Sequence, residues 1–228
     1  MQKRTLIICI ACIVHTIYPC TPHNRDYYTG NTPLCDGISI ACITAAKRIT
    51  QKLLHSSDSQ HQPTSITNGH MPHPQNMPHK THIYWLGHAT FLIQTEGFNI
   101  LTDPVLYDIP LHKRQTPVGI SPKDLPEIHV LLISHNHFDH CDTQSLQYIA
   151  RHCTSTPSVL CPKGLKHTMQ RLGFLAAYEA IWWQRYRLSH HNALDITFVP
   201  AYHWSGKTPC TVNKSWWGGW LIHGDTTC

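Results

Sequence analysis

A continuous apolar run over residues 128–133 passes without a break into Ser134-His135-Asn136-His137-Phe138-Asp139-His140. Such a run suits a strand buried on both faces, so the imidazole and carboxylate side chains emerge where the strand leaves its sheet. Residues i and i+2 of an extended segment point the same way, which lets His135 and His137 grip one ion together. As the chain turns toward the next helix, Asp139 and His140 face a second position, about 3.5–4 Å from the first in two-metal hydrolases. The chain holds 20 His in 228 residues, so chance has to be weighed. A His-x-His-x-Asp-His arrangement arises somewhere in this composition with a frequency of roughly 0.7%, and placement at a strand end disfavours a set of surface histidines further.

The length suits one domain of about 150 residues plus extra segments. With 41% hydrophobic and 14% charged residues, the composition excludes a wholly disordered chain. The formal charge of +5 is spread along the sequence without a basic block, so no nucleic-acid partner is expected.

Four regions follow from the local patterns. In residues 1–20, Lys3 and Arg4 precede an apolar run over 6–18 that Pro19 stops. The run has the length of a signal-peptide core and falls short of a spanning helix. Export or membrane association is expected, with a buried N-terminal helix in a cytoplasmic protein as the alternative. Cys20 hints at a lipid attachment site, which Pro19 before it weakens. Residues 21–54 form an extension with one helix, since Ile38, Cys42, Ala45, Ile49 and Leu53 recur on one stripe. Residues 55–80 read as a flexible linker rich in Pro and His. Residues 81–228 form the main domain.

Within that domain, residues 83–86, 90–94 and 98–101 read as strands, the last two joined by a hairpin turn at Glu96-Gly97. Strands are also expected at 128–133, 158–161, 195–200 and 216–222, with helices over 143–152 and 164–172. Strands dominate early and helices interleave later, giving an α/β or α+β class with layered sheets.

Further motifs lie in a telling order: Trp85-Leu86-Gly87-His88-Ala89-Thr90, Leu101-Thr102-Asp103-Pro104, Ser121-Pro122-Lys123-Asp124-Leu125-Pro126, the metal-type block, Pro200-Ala201-Tyr202-His203-Trp204-Ser205, and Asn213-Lys214-Ser215-Trp216-Trp217-Gly218-Gly219-Trp220. Together they resemble the metallo-β-lactamase superfamily, and within it the branch of phospholipases D that hydrolyse N-acylphosphatidylethanolamine. The resemblance covers about residues 80–228. It implies an αββα sandwich with metals at one edge of the two sheets, and one or two zinc ions as cofactor. His135, His137 and His203 fall to the first ion, Asp139 and His140 to the second. Asp103 and His88 are implied as supporting residues behind the ligands.

The chemistry implied is hydrolysis of a phosphodiester in a lipid-like substrate by a hydroxide that the ions make available near neutral pH. Asp139 is then also catalytic, orienting that nucleophile or taking its proton. The tryptophans line an acyl-chain groove or lipid interface, or pack in the core. The rivals are another hydrolase of the superfamily, such as a sugar-phosphate lactonase, and a truncated, non-catalytic metal-binding fragment.

The family pattern also needs a bridging Asp and a final His. Asp225 sits in Gly224-Asp225-Thr226, but no apolar run separates it from Ile222, so a polar turn is expected there in place of a ligand. The chain therefore reads as an incomplete member, with a second ion held by two groups only and an unpaired edge on the strand around residues 216–222.

Overall fold

The computed structural model describes residues 8–9, 81–109, 114, 118–189 and 193–224. The helix expected in 38–54, the linker histidines, Asp225 and all of the N-terminal apolar run except Ile8–Cys9 lie outside the described residues.

Two sheets stack face to face. The larger has six strands in the order β2 (His82–Gly87), β3 (Thr90–Thr95), β4 (Phe98–Thr102), β5 (Val130–Leu132), β6 (Ser158–Pro162), β7 (Ala177–Ala180). Its first three strands are antiparallel and its last four run parallel. The smaller sheet is antiparallel, in the order β1 (Ile8–Cys9), β10 (Gly219–Gly224), β9 (Ala193–Val199), β8 (Arg185–Ser189).

The hairpin between β3 and β4 is the expected one. Thr95 pairs with Phe98, and Glu96 and Gly97 both have positive φ, at 49° and 82°. That is the two-residue turn whose twist matches the strands it joins.

Alternation along the central strands divides the apolar side chains between two cores. Leu92, Leu101, Leu131 and Val159 point to one face, where they pack with Leu146 and Ile149 of α1 (Thr143–His152) and Met169 of α2 (Lys166–Arg171). Ile93, Ile100, Val130, Leu132 and Leu160 point to the other, against Leu194, Ile196, Phe198, Trp220 and Ile222 of the smaller sheet. This explains the unbroken apolar run before the histidines, since β5 is buried on both faces. Helices of the described residues cover the outer face of the larger sheet, giving three layers of the expected αββα sandwich.

The structure corrects several expectations. Strands β7 and β8 were not foreseen, and β10 begins at Gly219, not Trp216. The stretch before it is held to other loops, with Trp216 N donating to Lys163 O at 2.9 Å and Gly218 N to Ser134 O at 3.1 Å. A Cβ on Gly218 would collide with the Val199 carbonyl and the Phe198 ring, so glycine is required where the sheets' ends converge. The edge of β10 expected to be unpaired is occupied by β1, with Ile8 opposite Ile222 and Cys9 opposite Leu221.

Candidate metal centre

Strand directions gather the motifs at one edge. The C-terminal ends of β4 and β5, the turn between β2 and β3, and the segment after β9 all open there, delivering Asp103, the loop 134–141, His88 and His203 respectively. The loop closes into a turn in which Cys141 N donates to His137 O at 2.8 Å. Helix α1 starts directly afterwards, its first turn capped by Asp142, which accepts from Ser145 N at 2.9 Å.

Three imidazoles converge. His135 Nε2 lies 2.8 Å from His137 Nδ1, and His203 Nε2 lies 3.0 Å and 3.1 Å from those two atoms. The hydrogen-bond chain behind them fixes which nitrogen of His135 carries its proton. Asp103 accepts the Ser134 hydroxyl at 2.6 Å and the Ser134 backbone N–H at 2.7 Å. With its hydrogen given to Asp103, Ser134 Oγ accepts from His135 Nδ1 at 2.9 Å. The Nε2 lone pair of His135 is thereby turned toward His137 and His203, the tautomer a metal ligand needs. Burial, with the neighbouring imidazoles, holds His135 well below the ordinary histidine value, so it stays neutral. Three imidazoles with no acid among them fit a divalent ion with an open coordination position.

A second group forms beside it from His88, Asp139 and His140, whose ligand atoms lie within 4.8 Å of one another. His140 is buried and its Nδ1–H is taken by Asp103 at 2.9 Å, so Asp103 sets the tautomer here as well. Burial pulls the pKa of His140 down, but the hydrogen bond and charge of Asp103, with Asp139 adding to them, outweigh it and leave it raised. Burial alone would raise the carboxyl of Asp139. The hydrogen bond from His88 and the charges of His140 and His88 instead hold it well below the carboxylate range. Cys141, directly after the block, is a buried thiol pushed up to about 11 by that burial, in keeping with a space-filling residue.

His203 comes from the other sheet, so its loop has to be fastened to the loop carrying its partners. Asn136 Oδ1 accepts from Gly206 N at 2.6 Å, and Lys207 Nζ donates to Cys141 O at 2.7 Å. Trp204 packs edge-on against His137, with ring centroids 4.1 Å apart.

The tryptophans divide. Trp217 and Trp220 are buried, the latter against Phe198 and donating to Ile133 O at 3.0 Å, while Trp85 and Trp183 are exposed. Among the described residues, no helix is long and apolar enough to cross a membrane.

A match to the β-lactamase superfamily domain runs over residues 98–227, more than half of the chain. The chain belongs to the metallo-β-lactamase superfamily. It is 33% identical over 178 residues to the mitochondrial N-acyl-phosphatidylethanolamine-hydrolyzing phospholipase D of Saccharomyces cerevisiae, an alignment covering 74% of this chain and 36% of that protein. With N-acyl-phosphatidylethanolamine-hydrolyzing phospholipase D 1 of Caenorhabditis elegans it shares 30% identity over 155 residues, 62% of this chain and 43% of the other. Among solved structures, the diiron β-hydroxylase CmlA from Streptomyces venezuelae aligns with a TM-score of 0.46 and 27% identity, over 64% of this chain and 28% of CmlA. The chain thus spans less than half the length of these two curated relatives.

All seven residues singled out in the sequence of this metallo-β-lactamase superfamily member meet at the edge. Three others were missed: Ser134, which relays Asp103 to His135, and Asn136 and Lys207, which fasten the His203 loop. Their signal was present, since each is a polar residue within or just after a motif, but the contacts that use them span 31 to 70 residues.

Proposed function

We propose that the chain carries the metal edge of a zinc-dependent phosphodiesterase acting on N-acylphosphatidylethanolamine-like lipids. The observation that carries this reading is the convergence of His135, His137 and His203, with the tautomer of His135 set from behind by Ser134 and Asp103. A bound divalent ion supplies Lewis acidity and brings the pKa of a water toward neutrality. The side chains do the rest. Asp139, held ionised by His88 and His140, is placed to orient the attacking water or accept its proton. Imidazole-rich donors with one carboxylate nearby suit zinc among the common divalent ions.

The lipid substrate is supported by the two relatives named as phospholipases D and by the surroundings of the site. Trp85, Phe138 and Tyr202 are all exposed, and each stands on or beside a different loop of the edge: the His88 turn, the metal loop and the His203 segment. Large exposed rings on three loops of a polar edge suit a molecule with acyl chains and a phosphate between them. Membrane association of the folded domain follows from the same rings.

The test is hydrolysis of dispersed N-acylphosphatidylethanolamine by the zinc-loaded chain, beside a soluble nitrophenyl phosphodiester. Cleavage should be lost on chelation and should fall by about two orders of magnitude or more in His137→Ala. Turnover that survives metal removal would overturn the mechanism. Cleavage of the soluble ester with none of the lipid would overturn the substrate.

A further inference from the structure

The turn between β2 and β3 presents His88 to the metal loop, with His88 Nε2 3.1 Å from Asp139 Oδ2. Its two sides are secured differently. On the exit side, Thr90 Oγ1 donates to Asp103 O at 2.8 Å and accepts from Val105 N at 3.1 Å, and Thr102 Oγ1 donates to Ala89 O at 2.9 Å. Ala89 and Thr90 are thereby tied to the end of β4 and to the segment that follows it. On the entry side the ladder slips. Trp85 pairs with Phe91 and Gly87 with Thr90, which leaves Leu86 in a bulge. A bulge interrupts regular pairing and re-aims the chain, so ladder bonds alone do not fix where this turn begins.

Arg114 stands at that entry. Its guanidinium lies against the backbone of Gly87, so close that a Cβ there would stand 2.9 Å from Nη1. Nη2 donates to Val105 O, two residues beyond Asp103. Gly87 has φ 116° and His88 φ 50°, both in the left-handed region, where a non-glycine residue persists only if its surroundings enforce it. Trp85 supplies one restraint, with Nε1 donating to His88 O at 2.9 Å. Arg114 supplies the other, and it bridges the two supports of the centre, the His88 turn and the Asp103 segment.

The residue type agrees. Arg114 is half-buried, and burial lowers its pKa, opposed by the charge of Asp108. Space-filling alone would be met by an apolar side chain without that desolvation. A guanidinium adds a planar fork of donors, which here reaches a carbonyl while packing on a glycine.

We propose that Arg114 is a positioning residue for hydrolysis, locking the entry of the β2–β3 turn and so holding His88 against Asp139. The consequence for turnover rests on the reading of Asp139 as the group that orients the attacking water.

The test uses the full chain with Arg114→Met, which keeps the apolar stem, and Arg114→Lys, which keeps a donor for Val105 O. The first readout is exchange of indole N–H groups with water, followed by NMR and assigned with Trp85→Phe. Arg114→Met should speed exchange at Trp85 by about fivefold, the worth of one lost hydrogen bond. The indole of Trp220, bonded to Ile133 O in the core, should keep the parent's rate. Arg114→Lys should recover part of the protection at Trp85. The second readout is turnover of a soluble nitrophenyl phosphodiester by the zinc-loaded chain. Arg114→Met should lower kcat by about ten- to a hundredfold with KM near the parent's. In a His88→Asn background, which suits the left-handed backbone, the same change should cost no more than about twofold further.

Unchanged exchange at Trp85 would overturn the proposal, as would equal loss of protection at Trp85 and Trp220 in both variants, the mark of a residue that stabilises the fold at large. A raised KM with kcat kept would show that Arg114 touches substrate, and full additivity with His88→Asn would show that it acts elsewhere; either overturns it. Absence of turnover in the parent would overturn the proposed function instead, and exchange at Trp85 would then decide whether Arg114 holds the His88 turn.

Discussion

Asp103 accepts the Nδ1–H of His140 at 2.9 Å, with both side chains buried. The same carboxylate reaches His135 through the Ser134 hydroxyl. One acid at the end of β4 therefore sets a histidine tautomer in each trio, directly in one and through a single relay in the other. Its backbone is in the left-handed region, with φ 35°, which brings the carboxylate under the metal loop.

Asp103→Asn replaces one acceptor oxygen with an amide donor and removes the charge. Three buried donors then compete for one oxygen, and neither tautomer is enforced. Zinc affinity should fall by about 10- to 100-fold in both trios. Ser134→Ala breaks only the branch to His135, so its loss should be confined to the trio containing His203. Competition titrations against a chromophoric chelator resolve the two cases, and equal losses in both trios for Ser134→Ala would contradict the relay.

Asn136 stands between the two histidines that open the motif, and its side chain accepts from Gly206 N and ties down the segment that delivers His203. Asn136→Ala should weaken zinc binding by about tenfold, whereas Asn136→Asp, which keeps an acceptor oxygen, should lose less. If the effect acts through His203, Asn136→Ala should cause no added loss in a His203→Ala background. Full additivity of the two changes would show that Asn136 acts elsewhere.

The metal-free chain should be most stable near pH 6.5. Burial lowers the folded pKa of His135 below its ordinary value of 6.5, so the unfolded chain binds that proton more readily. Its contribution is present above 6.5 and declines as pH falls from there toward the folded value. His140 has the opposite sign. Its folded pKa is raised from 6.5, so its contribution is full below that and is lost as pH rises through the raised value. Melting temperatures of chelator-treated protein between pH 5 and 8 should show the maximum, and His135→Asn should flatten its acid side.

Much of this arrangement is legible in the sequence because its signals are local. The apolar run before Ser134, the Glu96-Gly97 turn and the i, i+2 histidines each act over a few residues. What was missed depends on distant partners. In β8, Tyr186 and Leu188 turn inward while Arg185 and Arg187 face outward toward Asp195 of β9, so the charges hide a strand that exists through its pairing. In β7, the short Ala-Tyr-Glu-Ala segment gains its place from parallel pairing with β6. The role of His88 was ambiguous for the same reason, since 51 residues separate it from Asp139.

The strand Ile8–Cys9 gives the N-terminal segment a structural use that its composition did not suggest. It pairs antiparallel with β10 and covers the edge expected to stand open. An uncovered β10 would present free N–H and C=O groups beside Leu221 and Ile222, and such an edge pairs readily with another chain. Removing residues 1–20 should therefore raise light scattering on incubation and shift the protein toward higher oligomers in size-exclusion chromatography. The zinc content should be unchanged, because none of the residues of the two trios lies on β1 or β10. A deletion variant as monodisperse as the parent would show that pairing with β1 is dispensable and that β10 is protected in some other way.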